Sequence, residues 1–418
     1  MKRSLFLFIC VFFATSSFAQ FAIYDTLNSG LKSNYCYVVL ETKSGEVWVG
    51  TTVAGLNRFS NHTNWTNYNT NNSGIGGNYI KALYYSNGEV WSGTSGPGGG
   101  VSVFNDTTWG LYNTSNSGIC GDDILSITKD IYGKLWIATR FNGFSKYDGT
   151  TWVTYNKQTS IAPTNAIYQL EADPAGGIWV SFPGYGFAKI SGTHNWTFYN
   201  TYTSPIPSDD VYALKYNKVT KSLWVGTLKG LAVKYETYWA VHTPSTINIP
   251  GGYIRSITHN YNTGHTWLAF GDAGIGKWDR TKWTAYNTSN SNLPSNSVWW
   301  ITTGANNSIW AATFGKGLVH IRDELSTQSI EESSSDFAVL YPNPCSDVVH
   351  ISFKEALIQD ASITICDVAG REVYSQDISP LSGQNNISVH VETLPVGCYQ
   401  CVIRSGAYIS RYKLFIVR

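Results

Sequence analysis

Charge is scarce in this chain. Asp, Glu, Lys and Arg together make up 14% of its 418 residues, against roughly 25% in an ordinary soluble domain. The formal net charge is +1. There is no basic field for a nucleic-acid backbone and no acidic one to gather cations. Signatures of catalysis are missing as well. The sequence has no His-Glu-x-x-His, no Gly-x-Ser-x-Gly and no paired acidic motif, and its eight His residues share no spacing with one another or with a carboxylate. "SGTSGPGGGV" (92–101) is glycine-rich but lacks the Lys-Ser/Thr and the helix of a phosphate loop, and reads as a loop between strands. After the first twenty residues no apolar run reaches the roughly 18 residues of a membrane-crossing helix.

Cysteine is sparse too. Cys36, Cys120, Cys345, Cys366, Cys398 and Cys401 follow no dense disulfide spacing. Cys398-x-x-Cys401 lacks the second half of a zinc site. They read as apolar strand residues, with room for one bridge if the chain is exported. No metal and no cofactor is expected.

Aromatics are abundant: 15% of the chain, including 16 Trp and 27 Tyr, with Asn, Thr, Ser and Gly between them. That mixture suits short strands and tight turns. The chain opens with "MKRSLFLFICVFFATSSFAQ". Lys2 and Arg3 are followed by an apolar stretch and by the small-residue site Ser17-Phe18-Ala19. This predicts a secretory signal peptide over 1–19, cut after Ala19. Cys10 follows Ile9 rather than a small residue, which argues against a lipid-anchored cysteine.

Trp recurs at 48, 91, 136, 179, 224, 267 and 310, in steps of 43 or 45. A period in this range marks a repeat architecture. Each copy has an apolar-alternating run, a polar turn, a Trp strand such as "VWVGT" or "LWIAT", and a third run opened by Gly. Those glycines are Gly55, Gly100, Gly143, Gly186, Gly230, Gly274 and Gly317. A fourth run carries a second aromatic, as in "WTNYNT" and "WTAYNT". Four short strands per unit predict an all-β, seven-bladed β-propeller over 20–323. The seventh unit lacks its fourth run, while "FAIYDTLNSG" (21–30) aligns with "WTAYNTSNSN" (283–292). Residues 21–30 are therefore expected to close the last blade. The repeated Trp fills the wedge between blades, and the small residues after it let backbones approach. Burying roughly 150–250 Å² per Trp at about 25 cal/mol per Å² gives a gross gain of roughly 4–6 kcal/mol per blade, as an upper bound.

The phrase "DIYGKLWIAT" (130–139) and its copies resemble the two-component-regulator propeller repeat, found in sensor regions of bacterial hybrid histidine kinases and in free exported proteins. "KVTKSLWVGT" and "GANNSIWAAT" lack the turn Gly of that pattern. No kinase or receiver segment follows, so signalling within this chain is not implied.

"RDELSTQSIEESSSD" (322–336) is acidic and serine-rich and predicts a solvated linker over 324–336. Residues 337–418 hold about seven alternating runs with turns at "YPNPCSD", "AGR" and "SGQN", the pattern of a small β-sandwich. "YPNP" (341–344), "ICDVAGREV" (365–373), "LPVGCY" (394–399) and "KLFIVR" (413–418) resemble, in order, the C-terminal sorting domain of the type IX secretion system. The resemblance implies an address read by the type IX export machinery, a secreted or cell-surface location, and removal of the tail by a surface peptidase. Cys345, Cys398 and Cys401 depart from that pattern, where small or apolar residues are usual.

One constellation points to a binding site. Asn34, Asn78, Asp122, Asn165, Asp209, Gly252 and Asn296 each precede a first strand. First strands line a propeller's channel, so these side chains either ring one mouth or start the strand as Asx turns. The loops after the Trp strands open on the same face and carry Arg140, Phe141, Phe182, Tyr185, Lys229, Asp272, Phe314 and Lys316. Aromatics beside scattered charges fit recognition of a glycan or a surface protein. The expectation is an exported binding module. The alternatives are a propeller lyase or hydrolase at the channel mouth and a structural adhesin or scaffold.

Overall fold

The computed structural model describes residues 21–323 apart from 62, 97, 193–194 and 246–248, and residues 338–418 apart from 354–360, 368–371, 379–385 and 406–407. The expected signal peptide (1–19) and linker (324–336) lie outside the described residues. The chain divides into two compact units, 1–325 and 326–418.

The first unit contains seven antiparallel sheets of four strands each. Six of them use four consecutive strands, beginning with Cys36–Glu41, Val47–Thr51, Leu56–Ser60 and Asn64–Tyr68. The seventh joins Val298–Thr303, Ser308–Thr313 and Gly317–Arg322 to the N-terminal strand Phe21–Tyr24. Its register pairs Phe21 with Ile321, Ala22 with His320, Ile23 with Val319 and Tyr24 with Leu318. The seven innermost strands neighbour one another in a closed cycle, the last beside the first. This is a β-propeller, and each sheet is a blade.

The packing follows from the repeat. The seven periodic Trp residues sit on the second strands, each less than 8% exposed. Trp48 stacks on Tyr68 and meets Phe104 of the next blade at 5.9 Å. Small residues after the Trp are a steric requirement. A Cβ on Gly50 would lie 2.6 Å from Val38 and 2.7 Å from Ile80, the latter on the adjoining blade. The glycine opening each third strand is needed twice over. Gly143 has φ +91°, and a Cβ there would fall 2.2 Å from the Tyr155 carbonyl oxygen of its own fourth strand. At Gly317 the crowding carbonyl belongs to Tyr24, also at 2.2 Å, so the N-terminal strand occupies the fourth-strand position of the seventh blade.

Side chains also tie the inner strands together. The Gln169 carboxamide donates to the Leu214 carbonyl and accepts from the Leu214 N–H. Ser256 Oγ does the same with Ile301 at 3.2 Å each way. The last described residue of the unit, Asp323, is 1% exposed. It accepts from His265 Nδ1 (2.7 Å), Asn260 Nδ2 (2.9 Å), Thr263 Oγ1 (2.8 Å) and Trp267 Nε1 (3.0 Å), and Lys277 Nζ lies at 3.2 Å. A carboxylate this enclosed is tolerable only when paired and fully hydrogen-bonded.

The second unit has a three-stranded sheet (Ala338–Tyr341, Val348–Phe353, Asn386–His390) and a four-stranded one. The latter orders Glu372–Ile378, Ala361–Cys366, Gly397–Ser405 and Tyr408–Ile416. Val349, Ile351 and Val389 from the first sheet and Ile363, Ile365 and Leu414 from the second share one core, which makes a β-sandwich. Cys345 and Cys401 belong to that core, and burial pushes the Cys401 thiol up to about 12. The six described cysteines are free thiols. Among the described residues no helix is long and apolar enough to cross a membrane.

Burial alone would raise the Asp323 carboxyl pKa. Hydrogen bonds from His265, Trp267 and Thr263 and the charge of Lys277 outweigh it and hold the group down to about 2. Its contribution is therefore present above the unfolded-state value of about 3.9 and is lost as pH falls through 2, roughly 2–3 kcal/mol in all. Asp323→Asn is expected to lower the unfolding temperature at neutral pH. The difference from the parent should close between about pH 4 and pH 2 when melts are compared across that range.

Candidate functional site

A regular strand sends alternate side chains to its two sheet faces. In a closed ring both faces are covered by neighbouring blades. Val38 packs toward the second blade with Trp48 and Ile80. Val39 packs toward the seventh with Trp310 and Leu318. The channel therefore meets only the edge of each inner strand. A β-bulge breaks this rule by inserting a residue that the ladder does not pair.

Six of the seven inner strands carry such a bulge. The register skips between Cys36 and Val38, Ile80 and Ala82, Ile124 and Ser126, Val211 and Ala213, Ile254 and Ser256, and Val298 and Trp300. The unpaired residues are Tyr37, Lys81, Leu125, Tyr212, Arg255 and Trp299. In the remaining blade the inner strand is short (Leu170–Ala172), and Tyr168 precedes it in irregular backbone. All seven line one cavity of about 260 Å³, together with Tyr79, Arg140, Gln169, Tyr253 and Trp300.

The rings form a belt. Tyr37 meets Trp299 edge-on at 4.9 Å and Tyr79 at 5.6 Å. Tyr212 stacks on Tyr168 at 4.9 Å and meets Tyr253 at 4.8 Å. The Arg255 guanidinium lies 4.2 Å from the Trp299 ring centre and 5.4 Å from that of Tyr253, whose hydroxyl accepts from Arg255 Nη1. Lys81 Nζ donates to Asp123 Oδ1 at 2.8 Å and to Ser95 Oγ at 3.0 Å. Burial pushes the Tyr37 phenol up to about 12 even though Arg255 opposes the shift. Burial does the same to Tyr212, also to about 12. These phenols stay neutral at physiological pH and act as hydrogen-bond donors and acceptors.

The Asx residues expected to ring the mouth are engaged otherwise. Their Oδ1 atoms accept the backbone N–H eight residues earlier: Asn34 from Thr26, Asn78 from Thr70, Asp122 from Thr114, Asn165 from Lys157, Asp209 from Thr201 and Asn296 from Thr288, at 2.7–2.9 Å. They brace the loops between blades. Of the residues after the Trp strands, Arg140 reaches the cavity. Phe141 carries the Arg140 guanidinium 4.9 Å from its ring centre, and Phe314 stacks behind Trp299 at 4.5 Å. Phe182 is 0% exposed and packs against Trp196 and Phe198, so it belongs to the core and cannot meet a ligand from solvent. Tyr185, Lys229, Asp272 and Lys316 are exposed and do not line the cavity. The bulge residues were not anticipated. Their signal is positional: each lies three residues after the Asx or Gly252 position, in a column that varies among Tyr, Lys, Leu, Arg and Trp.

Residues 339–418 match the secretion system C-terminal sorting domain. This marks the chain for export to the cell surface or beyond and implies engagement with type IX machinery. No curated protein sequence matches the chain. The fold is similar to the extracellular domain of BT3049, a hybrid two-component system of B. thetaiotaomicron, at 17% identity and TM-score 0.65, over 95% of this chain and 57% of that one. It is also similar to PorZ, a surface component of the type IX secretion system of Porphyromonas gingivalis. There the identity is 17% and the TM-score 0.55, over 94% of this chain and 60% of that one. This chain thus spans less than two thirds of either neighbour. YCF48, solved bound to D1 peptide, is similar at 12% identity and TM-score 0.54, over 73% of this chain and 97% of that one.

Because the Asx oxygens hold loop N–H groups, Asn78→Ala or Asn165→Ala is expected to cost on the order of 1 kcal/mol each. Thermal unfolding should register this as a shift of a few degrees. Crosslinking or chemical probing of the cavity tyrosines should show the same pattern as in the parent chain.

Proposed function

We propose that this exported propeller is a glycan-binding module whose ligand sits in the cavity at the channel mouth. One observation carries the reading: seven inner strands contribute bulged or irregular residues to one cavity, and most of these are aromatic. Rings offer flat apolar faces to the C–H faces of a sugar. Neutral phenols and the Gln169 carboxamide supply hydrogen bonds to its hydroxyls. The cavity volume of about 260 Å³ sits at the low end of small-molecule sites and suits one or two sugar rings.

Binding is favoured over catalysis by the lining itself. Among the described residues it contains Tyr, Trp, Lys, Arg, Gln and Leu, but no carboxylate and no imidazole. General acid–base work on a glycosidic bond calls for a carboxyl pair or an equivalent, and phenols pushed up in pKa are poor bases. A peptide is the second reading, supported by the neighbouring YCF48 fold, which was solved with one. The enclosing belt of rings suits a compact ring ligand better than an extended backbone.

Glycan-array binding by the exported chain tests this. The expected result is retention of a subset of oligosaccharides, reduced at least tenfold in affinity by Trp299→Ala and by Tyr212→Ala, with Tyr185→Ala unchanged. Equal binding by all four proteins would remove the cavity from the account.

A further inference from the structure

The cavity has an electrostatic feature that sugar stacking does not require. Elsewhere in the propeller, several cations at the sheet surfaces face acids. Arg58 meets Glu46, Lys189 meets Asp173, Lys215 meets Glu171, and Lys277 meets Asp323. Lys81, 3% exposed, is matched by Asp123 at 2.8 Å. Arg255 and Arg140 both line the cavity, and among the described residues neither is paired with a carboxylate. Arg255 Nε is moreover buried and has no hydrogen-bond partner. Both guanidiniums line the same cavity, and both charges oppose the upward push that burial gives the Tyr79 phenol.

A buried guanidinium donor left unfilled, as at Arg255 Nε, is costly, whereas Arg140 is an exposed residue. Rings on Trp299, Tyr253 and Phe141 hold the two groups by cation–π contact. That contact fixes their position; Arg255 gives Nη1 to the Tyr253 hydroxyl, and neither guanidinium has a carboxylate acceptor among the described residues. A planar fork held in this way matches an oxyanion through paired charge-assisted hydrogen bonds.

Resting on the glycan reading above, we propose that the cavity selects an acidic sugar, with Arg255 and Arg140 receiving its carboxylate or sulfate and the aromatic belt receiving its ring. Lys81 contributes little to selection because Asp123 already neutralises it.

The test uses the exported chain on an array of uronate-containing, sulfated and neutral oligosaccharides, with each uronate also present in carboxyl-reduced form. Calorimetry on the strongest hit follows. The expected result is binding of acidic members, weakened at least tenfold by carboxyl reduction or by Arg255→Met, and falling steeply with salt. Arg255→Lys should recover part of the loss, and Arg140→Met should act in the same direction. A change of circular dichroism in Arg255→Met would shift the weight onto Arg140→Met and carboxyl reduction, which leave the inner strand intact. Preference for sulfated over uronate members assigns sulfate as the oxyanion. Neutral sugars bound as tightly as acidic ones, with Arg255→Met unaffected, would overturn this inference and leave the glycan reading standing. Binding to no member would overturn both.

Discussion

Ring closure is the constraint from which the rest follows. Seven sheets can cover one another's faces without remainder only if the last is completed, and here Phe21–Tyr24 completes it. Once the ring is shut, no side chain of a regular inner strand has a free face. The interior of the channel is then reached mainly by residues that escape the ladder or stand at its ends, with Trp300 a paired exception. The six bulges provide that escape and deliver Tyr37, Tyr212, Trp299 and Arg255 to the belt, which Tyr79, Tyr168, Tyr253 and Arg140 complete. Architecture and cavity lining are thus largely separate in this chain: most paired residues build the wedge packing, and the bulged ones turn to the cavity.

Rigidity of the belt comes from its surroundings. Inner strands are cross-linked by Gln169 to Leu214 and by Ser256 to Ile301, which ties the strands carrying Tyr212, Arg255 and Trp299 to a neighbour. Phe314 backs Trp299, and Phe141 backs Arg140. A preformed site loses little conformational entropy when occupied.

Much of the fold was legible in the sequence, because wedge packing imposes the same demand in every blade. The Trp period, the small residues after it and the Gly before each third strand each answer one steric requirement, and they recur for that reason. Of the residues named from the sequence as a candidate site, Arg140 alone lines the cavity. Asn78, Asp122 and their equivalents stand out because they recur, and they recur because each loop needs the same N–H accepted. The cavity residues do the opposite. Tyr37, Lys81, Leu125 and Arg255 occupy one repeat position with different side chains, so a reading tuned to consensus passes over them. Phe182 shows the same limit from the other side, since an aromatic beside a loop reads as exposed until the Trp196 and Phe198 rings are placed against it. Bulges also depend on pairing between strands, which one strand's own pattern does not encode.

Hydroxyl-radical footprinting with residue-level mass spectrometry tests the central claim most directly. If the bulges turn side chains into the channel, Trp299, Tyr37 and Tyr212 should be oxidised readily while Trp48, Trp267 and Trp310, at 1–2% exposure, stay protected. Labelling of those three at the rate of Trp299 would contradict the closed ring and the division of labour built on it.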